Sequence, residues 1–155
     1  MVNIRFIKSK DSHFVGSMMN YKGDAGIDLP ASVCSDVKLY PGETKKMDTG
    51  IYLQIPEGYE AQIRPRSGLS SKGILVQIGT VDSGYRGMVR VVITNLNFQS
   101  GWRMFFPKPF IIKDGDRIAQ IVFKPLLDCV LEEVNVLEES ERGENGFGSS
   151  GVSKS

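Results

Sequence analysis

The chain has few cysteines, no excess of charge of either sign and no long apolar run, and each shortage excludes a class of protein. Its 155 residues include only two cysteines, Cys34 and Cys129, and these form no CxxC pair. Neither a disulfide framework nor a zinc site is therefore expected. Both thiols are predicted to be reduced and partly buried.

The charge balance argues against a long polyanion as partner. Nineteen basic residues and eighteen acidic ones give a formal net charge of +1. A protein that binds nucleic acid without regard to sequence normally has a basic excess, so no nucleic-acid partner is expected. A small anion held by a few local arginines remains compatible with this charge.

Membrane and secretory segments are not expected either. The first residues, Met-Val-Asn-Ile-Arg-Phe-Ile-Lys, lack the apolar run and cleavage site of a signal peptide. No stretch approaches the roughly 20 apolar residues that a spanning helix needs. The sequence therefore predicts a cytoplasmic protein without membrane contact.

The sequence does contain many short segments rich in Val, Ile, Leu or aromatic residues. They span residues 2–8, 38–40, 50–55, 59–64, 88–95, 117–124 and 129–136, and glycine- or proline-containing turns separate them. Only residues 67–73 favour a short helix. One all-β domain is predicted, either a sandwich, a jelly roll or a barrel.

The composition changes at residue 138 and becomes polar and glycine-rich. We therefore expect a β domain at residues 1–137 and a flexible arm at 138–155. An inert tail is the plain alternative. However, Arg142 and Phe147 supply a guanidinium group and an aromatic ring beside glycine hinges, which suits a lid over a phosphate and a ring.

The segment Arg-Pro-Arg-Ser-Gly at residues 64–68 lies where a strand ends and the short helix begins. The amides of Gly68 and Leu69 are expected to point out of the helix start, together with Ser67, and this position favours a phosphate. Arg66 adds a fork of donors for phosphate oxygens. An arginine beside a capping serine is also an ordinary helix start.

A hairpin is predicted around residues 79–87, with Asp82 and Tyr85 in the turn. Asp82 either caps the turn, as aspartate before Ser-Gly commonly does, or acts as a general base near a water. Tyr85 either packs in the core or lays its ring against a sugar.

Two carboxylates, Asp24 and Asp28, flank a glycine in Asp-Ala-Gly-Ile-Asp-Leu at residues 24–29. Oxygen ligands of this kind suit magnesium, either directly or through its waters. Two solvated aspartates are the commoner explanation. The segment Gly-Asp-Arg-Ile-Ala-Gln at 115–120 carries no signal by itself.

Each of these segments is a weak signal, but together and in this order they resemble the five motifs of the trimeric dUTPase family. The matching segments are residues 24–29, 65–69, 79–87, 115–120 and 142–151. The resemblance implies a distorted, jelly-roll-like β-barrel and a homotrimer in which three subunits share each active site. It also implies Mg²⁺-assisted hydrolysis of dUTP to dUMP and pyrophosphate, which keeps uracil out of DNA and supplies dUMP for dTMP synthesis.

The resemblance further assigns residue roles. Asp82 would orient and deprotonate the water that attacks the α-phosphorus, and Tyr85 would lie beneath the deoxyribose and exclude a ribose. The hairpin backbone would read uracil at Gly79, Val81 and Met88. The phosphates would be held by Arg66, Ser67, Gly68, Gln120 and Arg142. The arm would close over the site with Phe147, Gly148 and Ser149, with Phe147 stacked on uracil, and Asp28 would touch the water shell of Mg²⁺.

The sequence departs from the family pattern in two places. The run at residues 70–79 is shorter than in many members, and Gln77 would stand in for an asparagine amide that helps to read the base. The segment at 98–112 is longer than expected. Its aromatic residues Trp102, Phe105 and Phe106 either fill a covered loop or form an interface.

Two other functions stay open at this point. A dCTP deaminase is a structural relative, but it is disfavoured because the chain keeps Asp82, Tyr85 and the Arg142 lid. The other alternative is a regulatory binding protein on the same scaffold, which is considered because the aromatic segment at 98–112 could form an interface.

Overall fold

Strands dominate the computed structural model, which describes residues 2–16, 21, 23–98 and 107–144. In chain order the elements are β1 (Arg5–Lys8), β2 (Ile27–Pro30), β3 (Val37–Leu39), β4 (Thr44–Gln54), β5 (Tyr59–Arg64), α1 (Ser67–Ser70), β6 (Ile74–Val76), β7 (Gly79–Val81), β8 (Met88–Asn95), β9 (Phe110–Ile112) and β10 (Arg117–Pro125). The all-β prediction is confirmed.

The strands pair antiparallel in three sheets. One four-stranded sheet has the order β1-β4-β8-β6, another has the order β2-β10-β5-β7, and β3 pairs with β9. Side chains from all three sheets join one hydrophobic cluster. In β8, for example, Val89, Val91 and Ile93 alternate with more exposed residues, as expected when one face of a sheet covers a core.

The strand predictions were accurate where apolar residues alternate over a long segment. The bounds of β5 and β8 agree with the predicted 59–64 and 88–95, whereas the predicted 50–55 is only the end of the eleven-residue β4. The short strands β2, β6, β7 and β9 were missed. Three or four residues carry too little periodicity to distinguish a strand from a loop.

The predicted strand at residues 129–136 is wrong, because this segment forms no strand in the structure. No strand among the described residues pairs with this segment, and its apolar side chains are exposed. Val130, Leu131 and Val136 are 94, 98 and 83% exposed. The prediction that both thiols are partly buried is also wrong, since Cys34 and Cys129 are free and exposed.

The expected helix is present but shorter than predicted. It spans Ser67–Ser70, and residues 71–73 continue as a turn. Within the described ranges, no helix has the length and apolar character needed to cross a membrane.

Candidate active site

A group of charged side chains gathers where β5 runs into helix α1. The Nε of Arg66 lies 2.8 Å from Oδ1 of Asp28, and Nη1 of Arg117 lies 3.2 Å from Oδ2 of the same carboxylate. The Asp28 side chain is only 10% exposed. Arg66 also donates from Nη1 to the carbonyl oxygen of Arg117 at 2.8 Å. Asp28 therefore holds the Arg66 guanidinium in one orientation.

Sheet register explains why residues far apart in sequence meet here. Gln120 of β10 lies opposite Asp28 on β2 and opposite Arg64 on β5. Its Nε2 donates to the carbonyl oxygen of Pro65 at 2.9 Å. The central strand thus connects the aspartate of the first motif with the arginine and serine of the second.

Arg117 is a residue that the sequence reasoning missed. Arg117 and Gln120 are three positions apart, so a regular strand would place them on opposite faces. The register of β10 shifts between Arg117 and Ala119, and both Ile118 and Ala119 are buried. This bulge turns Arg117 toward Asp28. A bulge of this kind leaves no clear signal in the sequence.

These residues line a cleft of about 300 Å³, which we call the arginine cleft. Its walls are Tyr21, Asp24, Ala25, Gly26, Asp28, Arg66, Ser67, Gly68 and Gln120. The lining includes five residues predicted for phosphate or metal contact, namely Asp28, Arg66, Ser67, Gly68 and Gln120. All five come together from three separate motifs.

The start of helix α1 differs in one detail from the expectation. The N–H of Leu69 donates to the carbonyl oxygen of Arg66 at 3.0 Å, so it does not point away from the helix as predicted. The N–H of Gly68 has no hydrogen-bond partner within the described ranges. Arg66 itself is extended, with φ −102° and ψ 134°. One of the two expected amide donors is therefore available to a ligand.

A second cleft, of about 310 Å³, lies beside the turn between β7 and β8, and we call it the hairpin cleft after the predicted hairpin. The hairpin prediction itself is wrong, because β7 pairs with β5 in one sheet while β8 pairs with β4 and β6 in another. The lining of the cleft consists of Lys46, Ile63, Gly79, Thr80, Val81, Asp82, Tyr85, Met88, Val89, Arg90 and Val92. The structure thus brings together all the hairpin residues that the sequence assigned to sugar, base and water. No hydrogen bond or ion pair to the Asp82 carboxylate is found among the residues described, so its oxygens are open to a ligand.

Hydrogen bonds across the turn fix its shape. The N–H of Tyr85 donates to the carbonyl oxygen of Asp82 at 3.1 Å, and the Tyr85 hydroxyl donates to the carbonyl oxygen of Met88 at 3.2 Å. Arg86 donates from Nη1 to the carbonyl oxygens of Ser83 and Tyr85, at 2.6 and 2.9 Å. Tyr85 is 44% exposed. Its ring lies at the cleft, not in the core.

Two cations of the hairpin cleft had not been predicted. Lys46 and Arg90 come from β4 and β8, which the sequence reasoning treated only as sheet. Arg90 donates from Nε to Oδ1 of Asp48 at 2.7 Å, and this hydrogen bond raises the pKa of the Arg90 guanidinium above its ordinary value. The charge of Arg90 is thus offset by Asp48, which holds its guanidinium group in place.

Asp82 and Arg66 lie far apart within one chain. Val81 lies opposite Ala61 near the start of β5, so Asp82 is level with Glu60, six residues before Arg66. At roughly 3.3 Å per residue, about 20 Å separates Asp82 from Arg66. The group that suits a base and the groups that suit phosphates therefore cannot act on one bond within a single chain.

Several predicted residues are not brought into either cleft. Gln77 is exposed and lines neither cleft, although its N–H donates to the carbonyl oxygen of Val92 at 2.9 Å. Arg142 lies in an exposed turn at residues 141–144. Phe147, Gly148 and Ser149 lie outside the described residues, as do Trp102, Phe105 and Phe106 of the aromatic segment.

The donor set of the arginine cleft fits a magnesium ion that arrives with a phosphate ligand. No group of three or more His, Cys, Asp or Glu side chains in the described part of the chain is arranged to hold a metal alone. Two carboxylates, Asp24 and Asp28, do line the cleft beside Arg66. Magnesium in proteins is commonly held by one or two carboxylates, its own waters and the phosphates of a substrate.

The sequence matches the dUTPase family over residues 16–151. Deoxyuridine 5'-triphosphate nucleotidohydrolase of Clostridium novyi is 46% identical over 135 residues, which cover 85% of this chain and 87% of the relative. The enzyme of the same name from Clostridioides difficile is 39% identical over 154 residues, or 97% of this chain and 99% of the relative.

Solved structures agree with the sequence relatives. A variant of the Staphylococcus bacteriophage 80alpha dUTPase with dUpNHpp superposes with a TM-score of 0.80 at 31% identity and covers 97% of this chain and 99% of its own. A dUTPase from phage phi11 of S. aureus, described with a structural Mg(II) ion, has a TM-score of 0.72 at 26% identity and covers 88 and 99%.

Proposed function

Because the chain belongs to the dUTPase family, we propose that it is an enzyme that hydrolyses dUTP to dUMP and pyrophosphate. The observation that carries the proposal is that two clefts of similar volume present different chemical groups. One presents an unpaired carboxylate beside a tyrosine ring, and the other presents an oriented guanidinium group, a serine and a glutamine. A nucleoside triphosphate needs both kinds of surface, one for its nucleoside and one for its phosphates.

Asp82 is the proposed general base. Its carboxylate is exposed, and it accepts no hydrogen bond from the residues described, so it can accept one from a water. Attack on phosphorus depends mainly on positioning and on neutralising charge, and a positioned base adds about 10² to 10⁴ in rate. Tyr85 would lie under the deoxyribose, and the backbone at Gly79, Val81 and Met88 would read uracil.

The arginine cleft is the proposed phosphate site. Arg66 already has its Nε and Nη1 in hydrogen bonds, so its orientation is set before a ligand arrives. Gln120 is fixed in the same way by Pro65, and Ser67 and Gly68 complete the surface. Preorganised donors lose little entropy on binding. Arg142 would add a second guanidinium from the arm.

We propose that Mg²⁺ accompanies the substrate. Asp28 would reach its water shell, and Asp24 lines the same cleft. The ion would contribute charge neutralisation of the triphosphate. Because Asp28 is already paired with Arg66 and Arg117, contact through water fits this carboxylate better than direct ligation.

The roughly 20 Å between Asp82 and Arg66 supports a homotrimer with shared sites, since one copy supplies the hairpin cleft and another the arginine cleft. The segment at residues 126–137 supports the same proposal. Leu127 and Leu131 are 86 and 98% exposed, and exposed apolar stretches of this kind mark interaction surfaces.

Residues 138–155 are the proposed lid, which would close over a site with Phe147, Gly148 and Ser149. The cytoplasmic location stays a prediction.

The activity is tested by incubating the full-length chain with Mg²⁺ and each of dUTP, dCTP, dTTP and UTP, and by measuring pyrophosphate. Release from dUTP alone is expected. Equal rates on all four nucleotides would contradict the specificity, and release of ammonia from dCTP would instead indicate a deaminase.

Shared sites are tested by mixing two inactive variants, Asp82→Asn and Ser67→Ala, under conditions that let subunits exchange. If each site takes these two residues from different copies, random assembly restores about a quarter of the sites. A control mixture of Asp82→Asn with Asp82→Ala should stay inactive. No recovery in the first mixture would mean that one copy supplies both residues.

A further inference from the structure

The turn between β7 and β8 contains two glycines, Gly84 and Gly87, and their surroundings differ. A Cβ added at Gly87 would lie 2.5 Å from Cζ and 3.0 Å from Cε2 of Tyr85, and closer still to the Tyr85 hydroxyl. A Cβ added at Gly84 would meet no atom within 4 Å. Neither glycine has a positive φ. An alanine at residue 87 therefore meets no left-handed backbone, and the restriction comes from the space beside it.

That space is occupied by the side chain of Tyr85, which folds back over the turn. Its hydroxyl donates to the carbonyl oxygen of Met88 at 3.2 Å, directly beyond Gly87. Any side chain at residue 87 would overlap the ring and the hydroxyl, so the ring would have to turn away from Met88. Rings are rigid, and a contact of about 2.5 Å cannot be relieved without such a movement.

We infer that Gly87 is a positioning residue for Tyr85, and that it sets the discrimination between deoxyribose and ribose by allowing the ring to lie against the turn. The inference rests on the proposed function, in which Tyr85 lies beneath the sugar. Asp82, Tyr85 and Met88 line one cleft. A ring displaced by a methyl group at residue 87 leaves room where a ribose 2′-hydroxyl would otherwise clash.

The test compares Gly87→Ala with the matched control Gly84→Ala, in wild-type and Tyr85→Ala backgrounds. The measured quantity is kcat/KM for UTP divided by kcat/KM for dUTP. We expect Gly87→Ala to raise this ratio about tenfold in the wild-type background. It should leave the ratio nearly unchanged in the Tyr85→Ala background, where no ring remains to be displaced. Gly84→Ala should leave the ratio unchanged in both.

A purely structural role for Gly87 predicts a different pattern. In that case the substitution lowers activity on both nucleotides together and leaves their ratio at the wild-type value, and this result would overturn the inference. An equal change of the ratio with and without the Tyr85 ring would overturn it too.

Unfolding measurements separate this inference from the proposed function. Thermal melts of the wild type, Gly87→Ala, Tyr85→Ala and the double variant give the coupling between residues 87 and 85 without any substrate. Gly87→Ala is expected to lower Tm in the wild-type background and to have little effect beside Tyr85→Ala. An absent coupling would contradict the contact itself. Coupling in a protein that does not hydrolyse dUTP would uphold the contact between residues 87 and 85 and reject the proposed function, and with it the role in sugar discrimination.

Discussion

The arginine cleft and the hairpin cleft hold their carboxylates in opposite ways. Asp28 is 10% exposed and paired with two guanidinium groups, whereas Asp82 is exposed and accepts no bond from the residues described. A carboxylate engaged by two arginines orients donors, and it has little capacity left for chemistry. An unpaired one can accept a proton or orient a water. The difference fits the proposed roles, in which the arginine cleft binds phosphates and Asp82 acts on a water.

The largest expected effect is that of Asp82→Asn, which tests the reactive side of this comparison. Turnover of dUTP should fall about a hundredfold or more, because an amide cannot take the proton of the attacking water, while KM should change little. Steady-state kinetics measure both. Asp36→Asn, at an exposed aspartate that lines neither cleft, serves as the control. Unchanged turnover in Asp82→Asn would mean that the base lies elsewhere.

Truncation after residue 141 tests whether the arm contributes to activity or to the stability of the fold. The shortened chain should keep its melting temperature and its mass per assembly, because residues 142–144, the described part of the removed segment, are exposed. Hydrolysis should fall about tenfold or more, since a lid excludes water and completes the site. A chain that no longer folds would show the arm to be structural.

Asp28→Asn tests the binding side. Loss of the shared carboxylate leaves Arg66 held only by its hydrogen bond to the Arg117 carbonyl and leaves two like charges close together, so KM for dUTP should rise roughly tenfold with a smaller change in kcat. The free energy of unfolding should fall by about 1–3 kcal/mol, as expected for a hydrogen-bonded charge of low exposure.

Arg117→Gln is a milder substitution at the same ion pair as Asp28→Asn. It removes only the 3.2 Å contact to Asp28, and its backbone carbonyl still accepts from Arg66. Its effect on KM should therefore be smaller. If both variants changed KM equally, Asp28 would not act through Arg66.

The smallest effect is expected outside both clefts, at Asp114. The N–H of Val33 and the ring of His13 lower the pKa of this carboxyl below its ordinary value. The ionised form is therefore favoured in the folded state, and its contribution to stability is lost as pH falls through the lowered pKa. Asp114→Asn should make Tm less dependent on pH in acid while leaving kcat unchanged at neutral pH. A parallel acid dependence in variant and wild type would contradict this.

The sequence was sufficient to predict the longer strands and the chemical groups of the two clefts. The alternation in β5 and β8 gave their bounds, and the motif order gave Asp82, Tyr85, Arg66 and Gln120, which the structure places in the two clefts. It missed Arg117, because a bulge changes the facing of a residue without changing the composition of the strand.

The wrong strand at residues 129–136 has a different cause. The segment has apolar residues like those of a strand, but a strand needs a partner, and none is found in the described part of the chain. The proposed homotrimer would supply a partner for this segment. The misjudged burial of Cys129 follows from the same segment.

The sequence by itself determined the all-β class, the chemical groups of the site and their order along the chain, because these depend on side-chain type and on periodicity over a few residues. Tertiary structure alone decided which of these groups meet. The antiparallel register around β10 brings Asp28, Arg66 and Gln120 together. The same sheet holds Asp82 roughly 20 Å away, because each residue of an extended strand advances the chain by about 3.3 Å.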